Sequence, residues 1–96
     1  MQFLVLASPA EGVAMEQVRP HIKEEAARLW QLYGAGQVRA IYSRGDRPGM
    51  VALLEAEDAG AAQAAMDALP LARAGLLRVE VVPLKPYTVF EQAFAG

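Results

Sequence analysis

The chain has no cysteine among its 96 residues. That removes disulfides, thiolate nucleophiles and cysteine-based metal sites together. Histidine is scarce as well, with His21 the sole example. One imidazole leaves only carboxylates as further ligands, and none is spaced like a ligand set, so neither a metal nor another cofactor is expected. An excess of positive charge is lacking too. Nine Lys and Arg stand against eleven Asp and Glu, for a net charge of −2. Nothing therefore draws the whole molecule to nucleic acid or to an anionic membrane. No apolar run approaches the ~20 residues of a membrane span. The opening Met1–Ala7 is apolar but too short, and without the basic flank, for a secretory leader, so a cytoplasmic protein is expected. There is no Gly-rich phosphate loop, nucleophile elbow or Ser-His-Asp arrangement.

What the chain does have is apolar surface. Hydrophobic residues make up 54% of it. A single domain of this length buries little more than ~60% of its unfolded surface. The surplus points to a subunit interface.

The organising stretch is Gln37–Glu57. Val38–Arg44 and Met50–Glu55 read as strands around the turn Gly45-Asp46-Arg47-Pro48-Gly49, whose Gly, Pro and Asp content is that of a hairpin. Before it, Gln2–Ser8 is a strand apolar on both faces, hence central in its sheet. Ala14–Ala35 is helical, with Val18, Ile22, Ala26, Leu29 and Tyr33 as one apolar stripe. Pro20 limits the main helix to start near itself, and Gly34 and Gly36 end it. After the hairpin, Asp58 caps a second helix whose face is Ala62, Ala65, Met66 and Leu69. Pro70 stops that helix. Leu71–Gly75 reads as a loop and Leu76–Leu84 as a fourth strand. The tail Tyr87–Gly96 carries Tyr87, Phe90 and Phe94 at helical spacing, a stripe that must dock on the body or on a partner.

The order β-α-β-β-α-β is that of a single ferredoxin-like α+β sandwich with an antiparallel sheet. Both helices cover one sheet face. The other face would expose Leu and Val from several strands, which a second copy of the same sheet would cover, giving a homodimer.

Leu69-Pro70-Leu71, followed after a short loop by Val79-Glu80-Val81, resembles the pattern of the muconolactone delta-isomerases within the dimeric α+β barrel superfamily. The resemblance spans most of the chain, and the hairpin followed by an acidic helix start fits it. The tail ending in Tyr87–Phe94 departs from the family. Leu-Pro-Leu is an architectural motif: it stops a helix and packs the entry to a strand. The resemblance implies a paired α+β barrel and a small cofactor-independent enzyme, one that moves a proton alpha to a carbonyl of a carboxylated lactone. Such a reaction needs an acid/base and an anion holder.

The residues offer candidates for both roles. His21 is the natural proton shuttle near neutral pH, with Glu24 and Glu25 a turn away; the bland alternative is a solvated helix start. Arg39, Arg44 and Arg47 concentrate positive charge at the hairpin, and arginine suits bidentate recognition of a carboxylate. Against that, Arg47 and Asp46 read equally as a solvated turn, and Arg39 as the partner of a neighbouring acid. In the enzyme reading His21 or Glu24 is the base and Arg44 or Arg39 the holder, with Tyr42 beside them and Trp30 lining the pocket. His21, Tyr42 and Arg44 are expected to border one pocket between the first helix and the hairpin. If Arg44 turns inward without a ligand, Glu24, Glu25 or Glu55 must pair with it. A non-catalytic small-molecule-binding dimer, or a subunit whose role is assembly, is the alternative, since this fold hosts many chemistries.

Overall fold

The computed structural model describes residues 1–95. In chain order the elements are β1 (Gln2–Pro9), α1 (Met15–Val18), a 3-10 turn (Arg19–His21), α2 (Ile22–Gly34), β2 (Val38–Ser43), β3 (Met50–Glu55), α3 (Ala59–Asp67), α4 (Pro70–Arg73), β4 (Leu77–Pro83) and α5 (Thr88–Phe94). The four strands form one antiparallel sheet in the order β2-β3-β1-β4. The two strands expected to be central, β1 and β3, are central. This is the expected ferredoxin-like α+β sandwich.

Pairing register separates the sheet faces. Phe3, Val5 and Ala7 of β1 lie beside Leu54, Ala52 and Met50 of β3, and beside Pro83, Val81 and Val79 of β4. This face meets the helices. Phe3, Val5, Leu32, Val38, Leu54, Met66 and Leu69 form the centre of the core and are almost wholly out of water. Each such side chain contributes roughly 1.5–3 kcal/mol by leaving water. Asp58 caps α3 as expected, its carboxylate accepting the Ala61 N–H at 2.8 Å. Helix α2 ends in a double hydrogen bond, from Gln37 N–H to the Leu32 carbonyl and from Gly36 N–H to the Tyr33 carbonyl. That closure needs the left-handed φ of +80° that Gly36 adopts.

Two local expectations are corrected. Residues after Leu69 do not form a loop: Pro70 opens the short helix α4, because its fixed φ suits the first helical position and its missing N–H costs nothing there. The stripe on α2 is also rotated. Its inward side carries Glu25, Leu29 and Leu32, in line with Val18 of α1, whereas Ile22, Ala26 and Tyr33 are exposed. Hydrophobicity alone favours the second set, since it steps over the glutamate.

The opposite sheet face carries Leu4 and Leu6 beside Leu53 and Val51, with Val82 next to Leu4. None of these five is fully buried in one copy. Gly49 locks the hairpin beside β1: at φ +149° a Cβ would run into the Ala7 carbonyl and come within 2.9 Å of Arg44 Cδ. Gly49→Ala is therefore expected to cost about 1–3 kcal/mol, read as a fall of several degrees in Tm for a chain this size. The open apolar face predicts a dimer of twice the chain mass in light scattering at micromolar concentration. Leu6→Asp should dissociate or unfold it, because an unpaired charge buried there costs several kcal/mol. A stable wild-type monomer at that concentration would contradict the paired barrel.

Candidate functional site

Glu25 is the one buried charged residue among the described residues, at 8% exposure. Its position follows from the rotation of α2, which places it seven residues after Val18 and seven before Leu32, both buried. Its Oε1 accepts the Leu71 backbone N–H at 3.0 Å. Leu71 is the second residue of α4, where backbone donors have no partner inside the helix. Leu69 precedes that helix without a side-chain cap. Glu25 thus supplies, from 46 residues away, the cap that the Leu-Pro-Leu stretch lacks. No fully buried side-chain oxygen among the described residues lacks a partner. The second oxygen of Glu25 is therefore not fully buried, and Glu25 lines a cavity of about 170 Å³. Ala7, Met15, Leu29, Leu71 and Leu77 supply apolar walls, and Pro48–Gly49 of the hairpin turn closes one side. Among the described residues Glu25 is the only ionisable group lining it.

The expected site residues are dispersed. His21 is half-buried at the entry to α2, one turn before Glu25, and its charge reaches that carboxyl. Glu24 is exposed. Trp30, Arg39 and Tyr42 share a second, wider groove between α2 and the edge strand β2, of about 630 Å³. Trp30 there stacks on Tyr33 with ring centroids 5.9 Å apart. Arg44 goes elsewhere. It clusters with Leu6, Ser8, Arg78 and Glu80 on the sheet face away from the helices. Its partner is neither Glu24, Glu25 nor Glu55 but Asp46, held by two hydrogen bonds of 3.0 and 2.9 Å. The expectation that His21, Tyr42 and Arg44 border one pocket is therefore not met. Arg44, just past the end of β2, lies on the open face, where a carboxylate two residues away satisfies it. Arg47 does not line the cavity either, and it also joins the Arg44 cluster. It is exposed, and it borders a shallow groove that shares Pro9, Met15 and Pro48 with the cavity wall.

The profile of the muconolactone delta-isomerase family matches residues 1–89. The chain belongs to this family. Two solved structures share its fold. One is a muconolactone isomerase, 17% identical, with 93% of this chain and 95% of that one covered and a TM-score of 0.69. The other is a 5-chloro-2-hydroxyhydroquinone dehydrochlorinase from Burkholderia phenoliruptrix in complex with 2,5-dihydroxybenzoquinone. It is 21% identical, with 88% and 94% covered and a TM-score of 0.65. Among curated proteins none matches. Among the described residues no group of His, Asp or Glu is placed to hold a metal ion. Nor is any described helix long and apolar enough to cross a membrane.

In this family member the Leu-Pro-Leu stretch thus does more than pack: it holds a carboxylate against an apolar cavity. Burial pushes the Glu25 pKa above the ordinary carboxyl value, and the Leu71 N–H and the nearby His21 pull it part of the way back. A carboxyl whose pKa is raised by folding stabilises the fold while it is protonated. That contribution is complete below the unfolded pKa and is lost as pH rises through the folded one. Glu25→Gln keeps an oxygen for the Leu71 N–H and removes the titration. The variant should gain stability relative to wild type between about pH 4 and neutrality, measured by urea unfolding at each pH. A pH-independent difference would show that Glu25 does not titrate abnormally.

Proposed function

We propose that the chain is a cofactor-independent enzyme that transfers a proton on a small oxygenated ring acid, with Glu25 as the proton carrier. A buried glutamate lining an apolar cavity carries this reading. Desolvation raises its basicity toward the range useful near neutral pH. His21 and Glu24, the bases expected from the sequence, do not line that cavity. In the proposed step Glu25 takes the proton from the carbon alpha to a carbonyl. The electron pair spreads into the conjugated enolate, and the same carboxyl returns the proton at the far end of that system. Nothing else is consumed. The family's name describes such a double-bond shift in a lactone, and loss of HCl from a ring, which names the other relative, also requires a proton to leave. The cavity is smaller than the roughly 300–1,000 Å³ of sites for drug-sized ligands, which suits one small ring. Arg47, in the adjoining groove, would hold a ligand carboxylate outside the apolar cavity.

The second reading is a binding or assembly role, favoured by the cap that Glu25 gives α4. Turnover of a muconolactone separates the two. Glu25→Gln should keep the wild-type fold and lose about 10²–10⁴-fold in kcat. Arg47→Ala should raise KM with little change in kcat. For the wild type, kcat/KM should rise with pH along a limb displaced above the ordinary carboxyl value, in the direction burial dictates. Equal turnover by Glu25→Gln would remove Glu25 from the chemistry. A wild type that binds the lactone without converting it would leave the binding role.

A further inference from the structure

The C-terminal helix and the groove between α2 and β2 are both left bare. Helix α5 has no buried residue, and Phe94 is 81% exposed. Tyr87, Val89 and Phe90 are exposed beside it, with Tyr87 and Phe90 in edge-to-face contact at 4.8 Å. The chain's radius of gyration is 15.3 Å, against about 12–13 Å for a compact chain of this length. The tail therefore does not pack on its own body, where it was one option for docking. The groove presents Trp30 at 74% exposure, with Tyr33, Ile41 and Tyr42 also exposed. Each surface is too aromatic to remain in water as a standing state of a soluble chain.

We infer that Tyr87–Phe94 of one copy seats in the α2–β2 groove of a second copy. Three observations favour this occupant. First, the tail leaves β4, and the groove flanks β2, at opposite edges of the sheet. Three strand spacings, about 14 Å, separate the two edges within one chain. Second, when two such sheets stack face to face about a two-fold axis running along the strands, β4 of one copy lies over β2 of the other. The tail then starts beside the partner's groove, and symmetry fills both grooves at once. Third, the charges match: Glu91 is the only charged residue of the tail, and Arg39 is the only one lining the groove. Leu29 lines both this groove and the Glu25 cavity. The seated tail would thus rest against the outer side of the cavity wall.

The single tryptophan, Trp30, reports on the groove directly. In the full chain at micromolar concentration its emission should be blue-shifted and protected from acrylamide. Phe90→Ala/Phe94→Ala, whose side chains are exposed in one copy, should keep the same far-UV circular dichroism and lose that protection. Wild-type quenching like that of a solvated tryptophan overturns the proposal, and so does protection that survives the double substitution. The absence of cysteine allows a second test. Trp30→Cys and Phe90→Cys chains, mixed and mildly oxidised, should cross-link to each other faster than either does to itself. A chain carrying both should give a covalent dimer. A disulfide closed within one chain, or no preferential cross-link, overturns docking between copies.

Discussion

The hydrogen bond from the Leu71 backbone to the Glu25 carboxylate is the contact on which the rest of the site depends. A buried carboxylate is costly unless hydrogen-bonded, and an uncapped helix start leaves donors unsatisfied. Each defect here corrects the other. The pairing also joins distant parts of the chain, since it ties the first turn of α2 to the start of α4. With that tie made, Leu69 and Leu71 are buried on either side of Pro70 and the cavity has its wall. Half of the carboxylate is committed to structure and half is free. That division lets one residue serve the fold and still line the cavity.

The sheet divides the molecule into two chemical environments. On its helix side lie the core and the apolar cavity with a single ionisable group. On its other side lie an apolar strip of Leu and Val and, at the hairpin end, the arginine cluster. Gly49 stands where the two meet, because only a residue without Cβ lets the hairpin approach the Ala7 carbonyl. The turn that carries Arg44 and Arg47 is thereby fixed against β1, and its Pro48–Gly49 segment becomes a cavity wall.

The fold was legible in the sequence because its signals are strong and mutually consistent. Two doubly apolar strands, a polar turn with Gly and Pro, the Asp58 cap and the Leu-Pro-Leu stretch all agree on one topology. The site was less legible, because its key residue breaks the pattern by which buried faces are recognised. Periodicity placed Ile22, Ala26 and Tyr33 on the core side since they are apolar, and passed over Glu25 since it is charged. A carboxylate midway between Val18 and Leu32 at heptad spacing was the available signal. What the sequence could not show was a backbone donor 46 residues away that makes burial tolerable. The place of Arg44 is hidden in the sequence for a related reason. Alternation fixes which residues share a face, but not which face lies under the helices, and Asp46 was near enough to satisfy the charge locally.

The separation of Arg44 from Glu25 also has a chemical consequence. A guanidinium turned into the cavity would favour the ionised carboxyl and pull its pKa down. The carboxylate would then be a poorer base, engaged in an ion pair. Instead Asp46 holds Arg44 on the far face, and the carboxyl of Asp46, not of Glu25, is the one depressed by it. Arg47 does not line the cavity, and the water around it weakens its field. The result is an apolar cavity whose ionisable group is governed by burial first and by charge last. A ligand anchored by a negative group would leave that group with Arg47 in solvent and extend its neutral ring toward Glu25. Charge recognition and proton transfer would then occur in different dielectric environments, each suited to its own task.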